Sequence, residues 1–402
     1  MTITMKRVVA GACISVVMFA AALTWYARSG SRASDVGDKN GQTSQTDVTV
    51  RNGHIESRIL FMGDMFWGRA VNKWSQASTL KEAYPFSRLN EFNRGAYDAW
   101  IANLECPSVP GVNQPYSLEV RLLLFNCPSA YLPEAAKWFT AFSLANNHTA
   151  NQGGQPGIAA TRQALAAQNI QYFGHYDPNI LSDVCEIIAL PSRLAAGSAE
   201  PSKDVVIPMA LCGYHGLGTT PTAASLAVMK QYSKYMPVIA YPHMGVEYSA
   251  TPTAAQENLY HAMIDNGADA VLASHPHWVQ PAEVYKGKLI VYSMGNAMFD
   301  QGVGETQRGA AIDLTLKTGT VSADTLASWS EIGKRCTAFH DDCLKRIGDA
   351  HLQRLPWTFT YAARGVDMSN RITHPADAAL TNTILQRLNW AAVHKQLESP
   401  SD

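Results

Sequence analysis

The chain lacks an excess of charge of either sign. Lys and Arg total 32 against 33 Asp and Glu, a formal net charge of −1 over 402 residues. That balance excludes nucleic-acid binding driven by bulk charge, and it excludes a polyacidic tail. No internal repeat is present, and no Gly-rich phosphate loop or nucleophile elbow. Gly (28) and Pro (20) are ordinary in number, far from collagen or low-complexity usage. At about 100–200 residues per domain, the length allows one large domain or two smaller ones.

What is present begins with an apolar run from Val8 to Ala27, preceded by Lys6 and Arg7 and closed by Trp25 and Tyr26. About 20 apolar residues cross a bilayer core, and the basic flank sets an N-in, C-out orientation. The pattern predicts a membrane anchor over 1–27 that places the bulk of the chain on the extracytoplasmic face. The alternative is a cleaved signal, with a poor small-x-small site at Ser31-Arg32-Ala33 and secretion as the outcome. Residues 28–57, rich in Ser, Gly, Asp, Asn, Gln and Thr, are read as a flexible linker. Six cysteines follow Cys13, an even number that suits disulfides in an exported chain. Pairing sequence neighbours gives Cys106–Cys127, Cys185–Cys212 and Cys336–Cys343; free buried thiols are the alternative.

Between Arg58 and about residue 320, short apolar runs alternate with helical patterns. Expected strands are Arg58–Met62, Ala99–Leu104, Phe139–Ala145, Val205–Leu211, Met236–Tyr241, Ala268–Ala273 and Leu289–Ser293. Expected helices include Gly157–Gln168 and Thr253–Asn266, the second with Thr253 as N-cap and Gly267 as stop. Near-continuous apolar strands separated by helices imply an α/β body with strands buried on both faces. Residues 321–402 read as a C-terminal extension packing on that domain. Its last part, Asp377–Leu397, reads as an amphipathic helix with Leu380, Ile384, Leu388 and Val393 on one face.

The strand ends carry the chemistry. Ile59-Leu60-Phe61-Met62 runs into Gly63-Asp64, and Trp100–Leu104 runs into Glu105. Phe142–Ala145 runs into Asn146-Asn147-His148, Val238–Pro242 into His243, and Ala270–Ser274 into His275-Pro276-His277. The carboxyl edge of an α/β sheet forms the ligand crevice. Carboxylate, amide and imidazole together suit one or two borderline divalent ions such as Zn, Mn or Fe. A lone histidine is usually structural; donors at five successive strand ends point to a metal site. His215, between Gly213 and Gly216, is placed in a loop at that crevice.

These motifs resemble those of the CapA (poly-γ-glutamate capsule synthesis) family, which has a calcineurin-like metallophosphoesterase fold. They are Gly63-Asp64-Met65-Phe66-Trp67-Gly68-Arg69, Asn103-Leu104-Glu105, Ala145-Asn146-Asn147-His148, His243-Met244-Gly245-Val246-Glu247-Tyr248, Ser274-His275-Pro276-His277, and Tyr292-Ser293-Met294-Gly295-Asn296 with Phe299-Asp300. The resemblance implies a four-layer α/β/β/α sandwich behind the N-terminal anchor. It implies one metal position at Asp64 and His277, another at Asn147, His243 and His275, and Glu105 bridging. His148 would be the general acid, a second role being to hold a ligand by hydrogen bonding. Arg69 would bind an anionic group or make an ion pair, and Glu247 and Tyr248 would contact substrate or hold their loop. Asn296 and Asp300 would sit behind the ligands. Three positions depart from the pattern. Phe66 stands where phosphoesterases of this fold place a histidine, Glu105 where they place Asp, and Asn151 where related chains place Asp. The implied function is metal-dependent hydrolysis in poly-γ-glutamate or other envelope-polymer assembly or trimming. The alternatives are a metallophosphodiesterase on an envelope phosphopolymer, or a non-catalytic polymer-binding subunit of a membrane synthesis complex. The expected partners are thus an anionic envelope polymer, such a complex and the membrane, and no nucleic acid.

Overall fold

The computed structural model describes residues 53–195, 202–338 and 342–398. The expected anchor at 1–27, Cys13 and most of the expected linker lie outside the described residues. Among the described residues, no helix is long and apolar enough to cross a membrane.

β1 (His54–Met65) is the hub of a 14-stranded sheet. It runs parallel to β2 (Ala99–Leu104), which continues in parallel through β3 (Ala141–Ser143) to β4 (Gln171–Phe173). Its first residues also pair antiparallel with β5 (Cys185–Ala195). From there the sheet passes to β6 (Ser202–His215), then in parallel to β7 (Val238–His243) and β8 (Ala270–Leu272). β9 (Val279–Tyr285) and β10 (Lys288–Met294) form an antiparallel pair, with β10 parallel to β8. β11 (Asn296–Met298) lies parallel to the end of β1. On the other flank, β12 (Arg308–Thr318) is antiparallel to β1. β13 (Trp357–Asp367) pairs along the length of β12, and β14 (His374–Pro375) closes that edge.

Alternation along β1 sends its side chains into two separate cores, because successive residues of a strand point to opposite faces. Ile59 and Phe61 pack with Ile101, Ala141 and the apolar residues of β6, β7, β8 and β10. Leu60 and Met62 pack with Trp100, Phe142, Trp67, Phe92 and Ile158, the last on helix Gln155–Ala166. β1 to β3 therefore face other strands on one side and helices on the other. The Gln171 side-chain amide closes the gap between β4 and β5. It donates to Ala189 O (3.1 Å) and accepts from Ala189 N (2.8 Å).

Helix Ala254–Asp265 opens on a reciprocal cap: Thr253 Oγ1 accepts from Gln256 N, and Gln256 Oε1 accepts from Thr253 N. The expected closing helix is two helices, Ala378–Arg387 and Trp390–Glu398, separated at Asn389, whose φ is 55°. Ile384, Leu388 and Val393 are buried as the pattern required. All three expected cysteine pairs are disulfides: Cys106–Cys127, Cys185–Cys212 and Cys336–Cys343.

Candidate metal centre

The parallel strands all present their carboxyl ends to one edge, and the polar residues at those ends meet there. Asp64 is the penultimate residue of β1 and is fully buried. Its position depends on Gly63, where a Cβ would lie 1.8 Å from Gly295 O. Without a side chain there, Asp64 N reaches Gly295 O at 3.0 Å. Asp64 Oδ1 accepts from Asn103 Nδ2 (2.8 Å) and Oδ2 accepts from His275 N (3.1 Å). Asn146 in turn donates to Asn103 Oδ1 (3.0 Å) and Leu104 O (2.8 Å), which fixes the β2 and β3 ends to each other.

Two sets of donors converge. Glu105, His243 and His275 form one; Asp64, Glu105 and His277 form the other. In each set, all donor atoms lie within 4.8 Å of one another. Glu105 belongs to both. In the first set, His243 Nε2 lies 3.0 Å from Asn147 Oδ1, 3.2 Å from His275 Nδ1 and 3.8 Å from Glu105 Oε1. Donors on a tetrahedral ion, each about 2.0–2.1 Å from it, stand roughly 3.3 Å apart. In the second set, His277 Nε2 lies 3.8 Å from Glu105 Oε1. Asn296 Oδ1 holds the other ring nitrogen of His277 at 2.8 Å. Because Asn296 Nδ2 donates to Gln301 Oε1 and Thr306 O, its oxygen must be the atom facing His277. Nδ1 of His277 therefore carries the proton, and Nε2 offers its lone pair to the pocket.

Electrostatics favour a cation here. Glu105 Oε2 is buried without a hydrogen-bond partner. Burial, then the charges of Asp64 and Glu247, push the Glu105 carboxyl well above the usual range. An unpaired buried carboxylate is costly, and a divalent ion removes that cost. Burial also raises Asp64, but the charges of His243 and His277 and its hydrogen bonds outweigh it and leave Asp64 below the usual range. Burial, then the neighbouring imidazoles, lowers His275 to about 2. Burial lowers His277 as well. Neutral imidazole is the form that ligates a metal.

His148 stands beside the pocket, its Nε2 4.0 Å from Glu105 Oε1. Its ring stacks on Phe125 with centroids 3.9 Å apart. Nδ1 lies 2.9 Å from Asn151 Oδ1, which also accepts from Phe125 N at 2.9 Å. A backbone N–H can only donate, so Asn151 presents oxygen and His148 Nδ1 carries the proton. Burial lowers His148 to about 3.

The family to which the chain is similar matches these same segments. The sequence model of the family "Bacterial capsule synthesis protein PGA_cap" matches residues 58–301. The chain belongs to that family. The capsule biosynthesis protein CapA of Bacillus anthracis is 26% identical over 299 residues, covering 70% of this chain and 70% of that protein. The PGA biosynthesis protein CapA of Bacillus subtilis (strain 168) is 29% identical over 266 residues, covering 64% and 67%. The crystal structure of TT1561 of Thermus thermophilus is 11% identical and covers 63% of this chain and 93% of that one, with a TM-score of only 0.33.

In this PGA_cap protein the remaining expected residues separate. Arg69 and Asp300 are each other's partners: Nε and Nη2 of Arg69 donate to the two Asp300 oxygens at 3.0 and 2.5 Å. The guanidinium also lies over the Phe125 ring, 4.5 Å from its centroid. Phe66 packs against Phe125 and Phe299 and fills the position with apolar surface. Tyr248 stacks on His277, centroids 5.9 Å apart, and accepts from Gln301 Nε2 at 3.2 Å. Glu247 beside it is exposed. His215 ends β6 in register with His243; its Nδ1 donates to Tyr176 O at 2.6 Å. Arg69, Tyr248, His275 and His277 all have positive φ (38°, 59°, 103° and 57°), conformations held at a cost of about 1–3 kcal/mol each. Sequence reading assigned no role to Asn103, Phe125, Gln301 or Ser274, whose hydroxyl lies 3.1 Å from His243 Nδ1. Only Asn103 left a usable signal, since it shares a strand face with Glu105.

Proposed function

We propose that the protein is a metal-dependent hydrolase of capsule or envelope-polymer metabolism, with poly-γ-glutamate the favoured substrate. The observation that carries this reading is the pair of three-donor sets sharing Glu105. The PGA_cap membership and the CapA names of its relatives support the polymer. Asp64 and His277 would hold one divalent ion of the Zn, Mn or Fe class, and Asn147, His243 and His275 the other, with Glu105 between them. Such an ion supplies Lewis acidity and makes water a nucleophile at neutral pH.

The protein's own groups then move the proton. His148 Nε2, neutral and facing the pocket, accepts a proton from the attacking water and returns it to the leaving amine nitrogen as the C–N bond breaks. Asn151 and Phe125 hold the ring for both steps, and Asn296 orients His277. The layering around β1 supports the four-layer α/β/β/α arrangement. A segment at 1–27 anchoring the domain on the extracytoplasmic face, followed by a linker that ends where β1 begins at His54, completes the proposal. A second reading, a polymer-binding subunit within a membrane synthesis complex, is favoured by Phe66, which leaves the Asp64 set one imidazole short.

The test is elemental analysis of the purified full chain, followed by parallel assays on poly-γ-glutamate and a phosphodiester. His148→Ala is the control. Turnover of poly-γ-glutamate that falls at least about 100-fold in H148A with metal retained supports the proposal. Turnover of the phosphodiester alone transfers the site to phosphoester chemistry. No turnover with any metal supports the binding subunit.

A further inference from the structure

The rim of the pocket has a charge of its own. Arg69 is the cation whose charge reaches both Glu105 and Tyr248. Asp300 takes two of its N–H groups, Glu119 Oε2 accepts from its backbone N–H (2.9 Å), and aromatic rings cover the guanidinium. Its charge is thereby paired with Asp300. Glu247 stands exposed beside the pocket, with its charge felt at Glu105, His277 and Tyr248. Tyr248, next in the chain, has one face against His277 and remains 47% exposed. Its backbone N–H is fixed to Pro276 O at 2.8 Å, and its hydroxyl meets Gln301, which accepts from Asn296. Tyr248 is thus tied at two points to the loop that carries the histidines and at a third to Gln301.

An exposed aromatic face beside an exposed carboxylate recognises an ammonium group, through ring quadrupole and ion pairing together. We infer that Glu247 and Tyr248 bind the free amino end of the substrate, so that the site takes γ-glutamyl chains from that terminus rather than along their length. The inference rests on the polymer reading above and names which part of the polymer enters. A γ-linked glutamate chain carries a carboxylate on every residue but an ammonium only at one end. Glu247 repels the interior of such a chain and attracts that end.

The experiment is calorimetric titration of the metal-loaded full chain with two probes, a γ-linked triglutamate with a free α-amine and its N-acetylated form. Metal content is measured on every sample. The parent protein is expected to bind the free amine at least about tenfold more tightly. Glu247→Gln, an exposed isosteric change, is expected to erase that preference with metal content unchanged, and Tyr248→Ala to reduce it. Equal affinity for both probes in the parent overturns the inference, as does a preference that survives in E247Q or no binding of either. Absent hydrolysis with the amine preference intact defeats the hydrolase proposal alone. Hydrolysis with no amine preference defeats this inference alone.

Discussion

Asn151 Oδ1 lies 2.9 Å from His148 Nδ1 and fixes which nitrogen of that ring carries its proton. An amide oxygen in this place orients the imidazole and favours its charged form, though by less than burial disfavours it. Burial then keeps the ring neutral, at about 3. In Asn151→Asp, a carboxylate would face the same N–H and stabilise imidazolium, raising the His148 pKa by about 1–3 units. Proton NMR titration of the ring, with H148A to identify its signals, checks this. An unchanged midpoint would show that Asn151 does not set the ring's charge.

Glu105 is expected to be the residue on which both donor sets depend. Glu105→Ala removes the shared oxygen and is expected to lower the metal content of the whole site, whereas His275→Ala is expected to affect one set. Metal per chain by elemental analysis decides the matter. Unchanged stoichiometry in both variants would remove these residues from the ligand set. Chelation of the parent is expected to lower its Tm, because an ion at about 100 times its Kd stabilises the fold by about 2.7 kcal/mol.

Asn296 acts on the centre through His277. Asn296→Leu leaves the imidazole free to turn and to exchange tautomers, and the expected loss is about 10–100-fold in metal affinity. Competition with a chromophoric chelator reads this directly. Affinity equal to the parent's would mean that packing, not the 2.8 Å hydrogen bond, orients the ring.

Local pattern carried much of the architecture and little of the fine geometry. β2 has the bounds its apolar run predicted, because a strand buried on both faces shows as unbroken hydrophobicity. β13 escaped notice because its first residues alternate between exposed and half-buried, and only pairing with β12 makes them a strand. The strand-end donors were legible because the parallel strands bring their carboxyl ends to one edge. Their supports were not: Gln301 reaches His277 through Asn296 and through the Tyr248 ring, and Phe125 reaches His148 from a loop with no helical or strand period. Arg69 shows the opposite failure. Its glycine-flanked position suggested an anion site, but Asp300, more than two hundred residues away in sequence, is its partner.

Glu119 offers a test of stability apart from the metal. It is buried, with its oxygens accepting from Arg69 N (2.9 Å) and Asn126 N (3.4 Å). Burial raises its carboxyl from 4.5 to about 7 despite those donors. A folded-state pKa above the unfolded value means the folded chain holds the proton more tightly. The resulting stabilisation is full below pH 4.5 and is lost as pH rises through about 7. Glu119→Gln cannot titrate, although its amide turns an N–H toward one of the two donors and costs about 1–3 kcal/mol at every pH. That constant offset leaves the slope untouched. Urea midpoints measured from pH 4.5 to above 7 should therefore show the parent's advantage over E119Q shrinking as pH rises. Parallel curves for the two proteins would mean that Glu119 is ionised throughout, its charge held by the two backbone N–H groups.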